Sequence, residues 1–252
     1  MSGSSENPSR LEAISTRWTL LRQAHAGSVG ATGEARGALV LRYLPAVRRY
    51  VRAMVGKEQD AEDLTQDVVV RLMSGDFGGA DPGRGRFRDL LKVAIRNMVR
   101  NYWARSRRRR PVDLDVGRLE GAAEDPAADP WLASWRHSVL DLVWKALEQE
   151  ERQRSGSVTY SVLRLRAAHP DETSEQLASR LSQKVGRTMR ADAVRQQLRR
   201  ARLRFADLLI EEVAGGMSDP TPERIEDELI ALGLLEPIRA LLPPGWGTGG
   251  RS

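Results

Sequence analysis

The chain has 252 residues, 40 Lys and Arg against 34 Asp and Glu, a formal net charge of +6 and no Cys. That length suggests one or two domains, each able to bury a core without a covalent staple. The lack of Cys excludes disulfide scaffolds, thiolate metal sites and cysteine nucleophiles, and the three scattered His (His25, His137 and His169) argue against a His-based metal site. No cofactor is expected. No apolar run approaches the length of a membrane span, and the opening MSGSSENPSR lacks the apolar core of a secretory signal, so the expectation is a cytoplasmic protein with no membrane partner.

The charge is blocked along the chain. Residues 86–110 sum to +9 and residues 187–204 to +6, whereas 113–151 and 211–236 each sum to −7. Two basic helices separated by an acidic connector fit two nucleic-acid contacts on one chain. An Arg-rich helix can also be an ordinary solvated face.

Helical periodicity dominates, so the expected fold is all-α, with two helical domains joined by an acidic linker. Residues 1–15 and the end of the chain have the Gly, Ser and Pro content of flexible segments. The first domain is set at 16–110, the linker at 111–130, the second domain at 131–213 and an acidic C-terminal extension at 214–252.

Within the first domain, AEDLTQDVVVRLM (61–73) puts Ala61, Leu64, Thr65, Val68 and Leu72 on one face, expected to be core. Asp63, Gln66, Asp67 and Val70 fall opposite. An exposed Val ringed by acids and an amide is a plausible docking patch for a basic partner, or a plain solvated face. Residues 74–86 (SGDFGGADPGRGR) read as a loop. No strand precedes them, as a phosphate-binding Gly loop would require.

A helix is predicted from about 87 to 106. Phe87, Leu91, Ala94, Ile95, Met98 and Tyr102 form its apolar stripe, and Lys92, Arg96 and Arg100 a basic one at i, i+4 and i+8. Trp103 projects onto the basic side. Cations that track phosphates beside a ring that stacks on an unpaired base are the chemistry of single-strand binding. Packing under a neighbouring element is the other reading of Trp103. Arg105 and the Arg run behind it add phosphate affinity without sequence information.

In the second domain, Thr173 followed by Gln176 has the form of a capping box, so a helix should begin at Ser174. Leu177, Ala178 and Leu181 give it a buried side, and a turn follows from Lys184 to Arg187. A long helix then carries Val194, Leu198, Ala201, Phe205, Leu208 and Leu209 in one stripe, with Arg195, Arg199, Arg202 and Gln196 beside it. Short helix, Gly-containing turn and basic helix form the helix-turn-helix pattern, whose second helix can reach base edges.

These residues resemble a known family. DAEDLTQDVVVRL (60–72) followed by GRFRDLLKVAIRNMVRNYWARSRRRR (85–110) is similar to region 2 of sigma-70 family RNA polymerase sigma factors. TSEQLASRL (173–181) with ADAVRQQLRRARLRF (191–205) resembles their region 4. With no space for a region 3 domain, the layout looks like the extracytoplasmic-function (ECF) type. TRWTLLRQA (16–24) and the extension to about 232 are similar to a subset with longer ends.

The resemblance implies a promoter-recognition subunit with no catalysis of its own. Its partners are core RNA polymerase and promoter DNA, and it allows an anti-sigma factor as a third. Asp60, Glu62, Asp63, Gln66, Asp67 and Val70 correspond to the surface that docks on the polymerase clamp. Arg86, Arg88, Lys92, Arg96, Asn97, Arg100, Asn101, Trp103 and Arg105 correspond to the element that captures the non-template strand at the minus-ten element, where a base leaves the stack. Arg190, Arg195, Gln196, Arg199 and Arg202 correspond to the minus-35 reader. The acidic linker corresponds to the segment threaded toward the RNA exit path. Three departures stand out: the longer turn before residue 191, Asn101 where the family often has Asp, and Val69 where it often has an aromatic. A stand-alone helix-turn-helix regulator is the alternative; it would have no use for an acidic-apolar exposed face at 61–73.

Overall fold

A computed structural model describes residues 29–74, 87–109, 129–217, 219–242 and 246. Among them the fold is all-α. The helices are α1 (Val29–Val55), α2 (Glu58–Ser74), α3 (Phe87–Arg109), α4 (Pro130–Gln153), α5 (Thr159–Ala168), α6 (Ser174–Val185), α7 (Ala191–Ala214), α8 (Pro222–Ala231) and α9 (Leu235–Ile238), followed by a 3₁₀ turn, Arg239–Leu241. The segment TRWTLLRQA, the loop at 75–86, nearly all of the acidic linker and the side chains of the Arg run at 107–110 lie outside the described residues.

The first hydrophobic core is built by α1, α2 and α3, and it extends onto α4. Tyr43, Ala46, Val47, Tyr50, Val51 and Val55 line the inner face of α1. Gly56, at φ 75°, makes the left-handed turn into α2 that a side chain would strain. Glu58 and Asp60 in the first turn of α2 suit the positive end of its dipole. The buried side chains of α2 are Ala61, Leu64, Thr65, Val68 and Leu72, the face its periodicity predicts, and the Thr65 hydroxyl is satisfied by the Ala61 carbonyl at 2.7 Å.

Helix α4 starts with two reinforcing signals: an Asp129 carboxylate accepting from the Trp131 N–H at 2.9 Å, and Pro130 at its first position, where no intrahelical donor is lost. Its first turns pack on α1 through an aromatic seam. Tyr43 stacks on Trp135 with centroids 4.9 Å apart, and Tyr50 meets Trp131 at 5.0 Å. Such pairs add about 0.5–1.5 kcal/mol each beyond their area burial. Burial pushes the Tyr50 phenol up to about 12, against a lowering by the nearby Arg96 charge.

A second, smaller core holds α5, α6 and the first half of α7: Val158, Val162, Leu177, Ala178, Leu181, Val194, Leu198 and Ala201. Helix α7 runs from one core to the other. At the joint, Trp144 packs on Phe205 at 4.9 Å and Arg164 lies over the Trp144 ring at 4.9 Å. Arg204 donates to Glu150 at 2.9 Å and to Glu211 at 3.2 Å, and these carboxylates, Glu150 first, hold its guanidinium more firmly charged than usual. The Glu151 carboxylate accepts from the Ser161 N–H at 2.9 Å, satisfying an unpaired donor in the first turn of α5.

The C-terminal extension folds back. Thr221 caps α8, with Pro222 at its start. Ile225, Leu229, Leu232, Leu234, Leu235 and Ile238 are all buried, in the same apolar cluster as Trp135, Val139 and the end of α7.

Candidate nucleic-acid and polymerase interfaces

Burying one face of α2 turns the other outward. Asp63, Gln66, Asp67 and Val70 are all exposed, Val70 at 60%, with Met73 beside them. Among the described residues neither Asp63 nor Asp67 makes an ion pair. Two members of the expected docking set sit differently: the Glu62 carboxylate accepts from Arg48 at 2.6 Å, and Asp60 is half-buried. The outward face therefore combines two like charges one helical turn apart with an apolar centre, an arrangement that favours a cationic partner over self-association.

Helix α3 buries Leu91, Ile95, Met98 and Val99. Val99 is absent from the predicted stripe, and Ala94 and Tyr102 are only half-buried. On the other side the cations climb out of the structure. Arg88, Lys92, Arg96 and Arg100 are spaced four apart, and each step turns the side chain about 40° around the axis. Arg88 is buried at 7% exposure, Lys92 and Arg96 are half-buried, and Arg100 is exposed.

The two inner cations are already occupied. The Arg88 guanidinium donates from Nε to Glu228 Oε1 at 2.6 Å and from Nη2 to Oε2 at 3.0 Å, a bidentate fork, and its Nη1 lies 3.2 Å from Asp89. The Lys92 ammonium donates to Asp129 at 2.5 Å. Arg88 and Lys92 are thus bound within the chain in this structure, and Arg88 is not on the exposed face expected of it.

Beyond them, Asn97, Arg100, Asn101 and Arg105 are exposed, and Val93, at 58% exposure, joins this face without having been singled out from the sequence. Trp103 is half-buried: it meets Tyr102 edge-on at 5.2 Å and packs at the margin of the first core. Part of the ring packs on the core and part is exposed. Arg86 lies outside the described residues.

The turn between α6 and α7 is held by local chemistry. Thr173 Oγ1 accepts from the Gln176 N–H at 3.3 Å and the Gln176 side chain accepts from the Thr173 N–H at 2.8 Å, so the capping box is closed and α6 begins at Ser174. Gly186, at φ 67°, ends α6 in the left-handed region. The longer turn is internally braced. Ser182 Oγ accepts from the Met189 N–H at 2.8 Å, and Arg187 donates to the Gly156 carbonyl at 2.8 Å. This fixes the start of α7.

Arg195, Gln196, Arg199 and Arg202 are exposed on α7, and Arg190, at its N-cap, is exposed just before it. Arg195 is paired locally with Asp192 and lies 3.7 Å from Glu175. Arg200, also exposed, widens the basic surface beyond the expected set.

Comparison with known proteins matches part of the first domain. Residues 39–109 match the family model of Sigma-70 region 2, covering α2 and α3 in full and the inner half of α1. No curated protein and no solved structure matches the chain. The match over 39–109 is to a sigma-70 region 2 and supports a relation to sigma-70 family sigma factors over that segment. Among the described residues no helix is long and apolar enough to cross a membrane.

Proposed function

We propose that the chain is a compact sigma factor of ECF type, which docks on core RNA polymerase and directs it to promoters. The observation that carries this reading is the exposed acidic-apolar face of α2, Asp63, Gln66, Asp67 and Val70, lying inside the stretch that matches Sigma-70 region 2. A protein that only bound DNA would be weakened by an acidic face beside its basic helix; one that docks on a polymerase surface uses it.

In this reading α3 captures the displaced strand. Arg96, Arg100 and Arg105 follow its phosphates, Asn97 and Asn101 offer amide donors and acceptors, and the exposed part of the Trp103 ring supports an unstacked base. The exposed row on α7 reads duplex at the minus-35 element, Arg forks on guanine edges and Gln196 on adenine. The polymerase supplies all covalent chemistry, and this chain supplies position.

The reading is tested by measuring affinity for core RNA polymerase with Asp63→Arg and Asp67→Arg combined. The expected result is at least tenfold weaker binding of core, with direct binding of the free protein to duplex DNA undiminished. Unchanged affinity for core would contradict the docking assignment.

A further inference from the structure

The basic stripe of α3 begins inside the protein, and acids from distant parts of the chain meet it there. Glu228, on α8, takes both arms of the Arg88 guanidinium, 140 residues away in sequence. Asp129, at the end of the acidic linker, takes Lys92. A third contact of the same sign pattern, Arg42 of α1 donating to Glu212 of α7 at 3.2 Å, lies on the same side of the joint. Residues 211–236, the end of α7 and the extension together, supply Glu212 and Glu228 and carry eight acids and one Arg.

Two observations separate this joint from ordinary core. First, a cavity of about 20 Å³ lies in it, lined by Arg88, Glu212 and Glu228 together with Trp135, Val139 and Leu232. That is room for about one water beside three charged groups, so the charged seam is open to exchange of a polar partner although the apolar side chains around it are packed. Second, a buried ion pair is poor cement: its desolvation cost nearly cancels its attraction, so apolar contact would hold α8 at least as well. What an Arg–carboxylate fork does well is mimic the Arg–phosphate fork, because both acceptors present two oxygens in one plane to the same pair of N–H donors.

We propose that the acidic C-terminal extension masks the inner end of the strand-binding stripe, with Glu228 held on Arg88 in the place a backbone phosphate of the captured strand would take. The masking rests on the reading of α3 as a strand-binding helix. The free chain then presents only the outer half of the stripe, Arg96, Arg100 and Arg105. Productive strand capture exchanges Glu228 for phosphate and loosens α8 and α9 from the joint.

The test uses the full chain and a labelled AT-rich single-stranded DNA oligonucleotide, titrated across a range of salt. Glu228→Gln, which keeps the side-chain shape but removes the charge, should bind the strand three- to tenfold more tightly than the unaltered protein. Its log–log salt slope should steepen by about 0.7, one extra phosphate contact. Adding Arg88→Gln to Glu228→Gln should erase both gains. Equal affinity and equal slope in the unaltered protein and Glu228→Gln, both melting cooperatively, would overturn the masking while leaving the promoter reading intact. Failure of both to capture the strand even with core polymerase present would overturn the promoter reading and the masking with it. Hydrogen exchange on the unaltered protein checks the same exchange without substitution: saturating strand should lower amide protection across 222–238. Unchanged protection there would also count against the proposal.

Discussion

Helices α3 and α7 each carry a row of Arg spaced to face one side, but they meet the rest of the chain differently. On α3 the row starts in the interior, and its first two members are engaged by Glu228 and Asp129. On α7 the predicted members Arg190, Arg199 and Arg202 stand in solvent, and Arg195 is paired only with neighbours on its own and the adjacent helix. The contrast follows from what lies under each helix. The first half of α7 rests on the small second core, and among the described residues no other element covers Arg199 or Arg202. Helix α3 rests on a core shared with α4 and the C-terminal extension, and both bring carboxylates. A charge count alone does not distinguish an available cation from an occupied one.

The largest expected effect breaks the outer row of α3. Arg96→Ala with Arg100→Ala should reduce strand opening by polymerase ten- to a hundredfold, read as permanganate reactivity of unpaired thymines, with a smaller loss in closed binding. Equal losses in both would move this row from strand to duplex. On α7 the expected effect is smaller. Arg199→Ala should weaken duplex binding about three- to tenfold and reduce the salt slope by about one, because one fully exposed cation gives one phosphate or base contact.

Smaller again, Thr173→Ala should cost about 1 kcal/mol by opening the capping box. Its melting shift should come with weakened duplex binding and unaltered affinity for core polymerase, since only the second core depends on that cap. The smallest effect sits under α3. Because burial raises the Tyr50 phenol to about 12, the stability it contributes is complete below the ordinary tyrosine range near 10 and is lost as pH climbs from there toward 12. Tyr50→Phe should flatten that alkaline decline in a pH series of thermal melts.

Much of this is local and was legible in the sequence. The buried face of α2 follows from helical spacing alone, and the start of α6 from four residues of capping chemistry. Both are set within one or two turns of chain. The occupancy of Arg88 and Lys92 was not legible, because their partners lie 140 and 37 residues away and no periodicity links them. The stripe at i, i+4 and i+8 correctly gave a basic side to α3 but not which end of it would be covered. Trp103 shows the same limit: its angle on the helix fixed its neighbours on α3, while the depth of the ring depends on the core beneath. For the extension, the apolar spacing of Ile225, Leu229 and Leu232 showed that it would pack, and only the fold shows that α8 reaches the start of α3.

The central claim is that α2, α3 and α7 together bring a polymerase to promoters. Transcription by core RNA polymerase on a library of promoter sequences, with and without this chain, tests it most directly. The account predicts chain-dependent transcripts that share two upstream elements at fixed spacing. Failure to bind core, with no chain-dependent start from any sequence in the library, would contradict it.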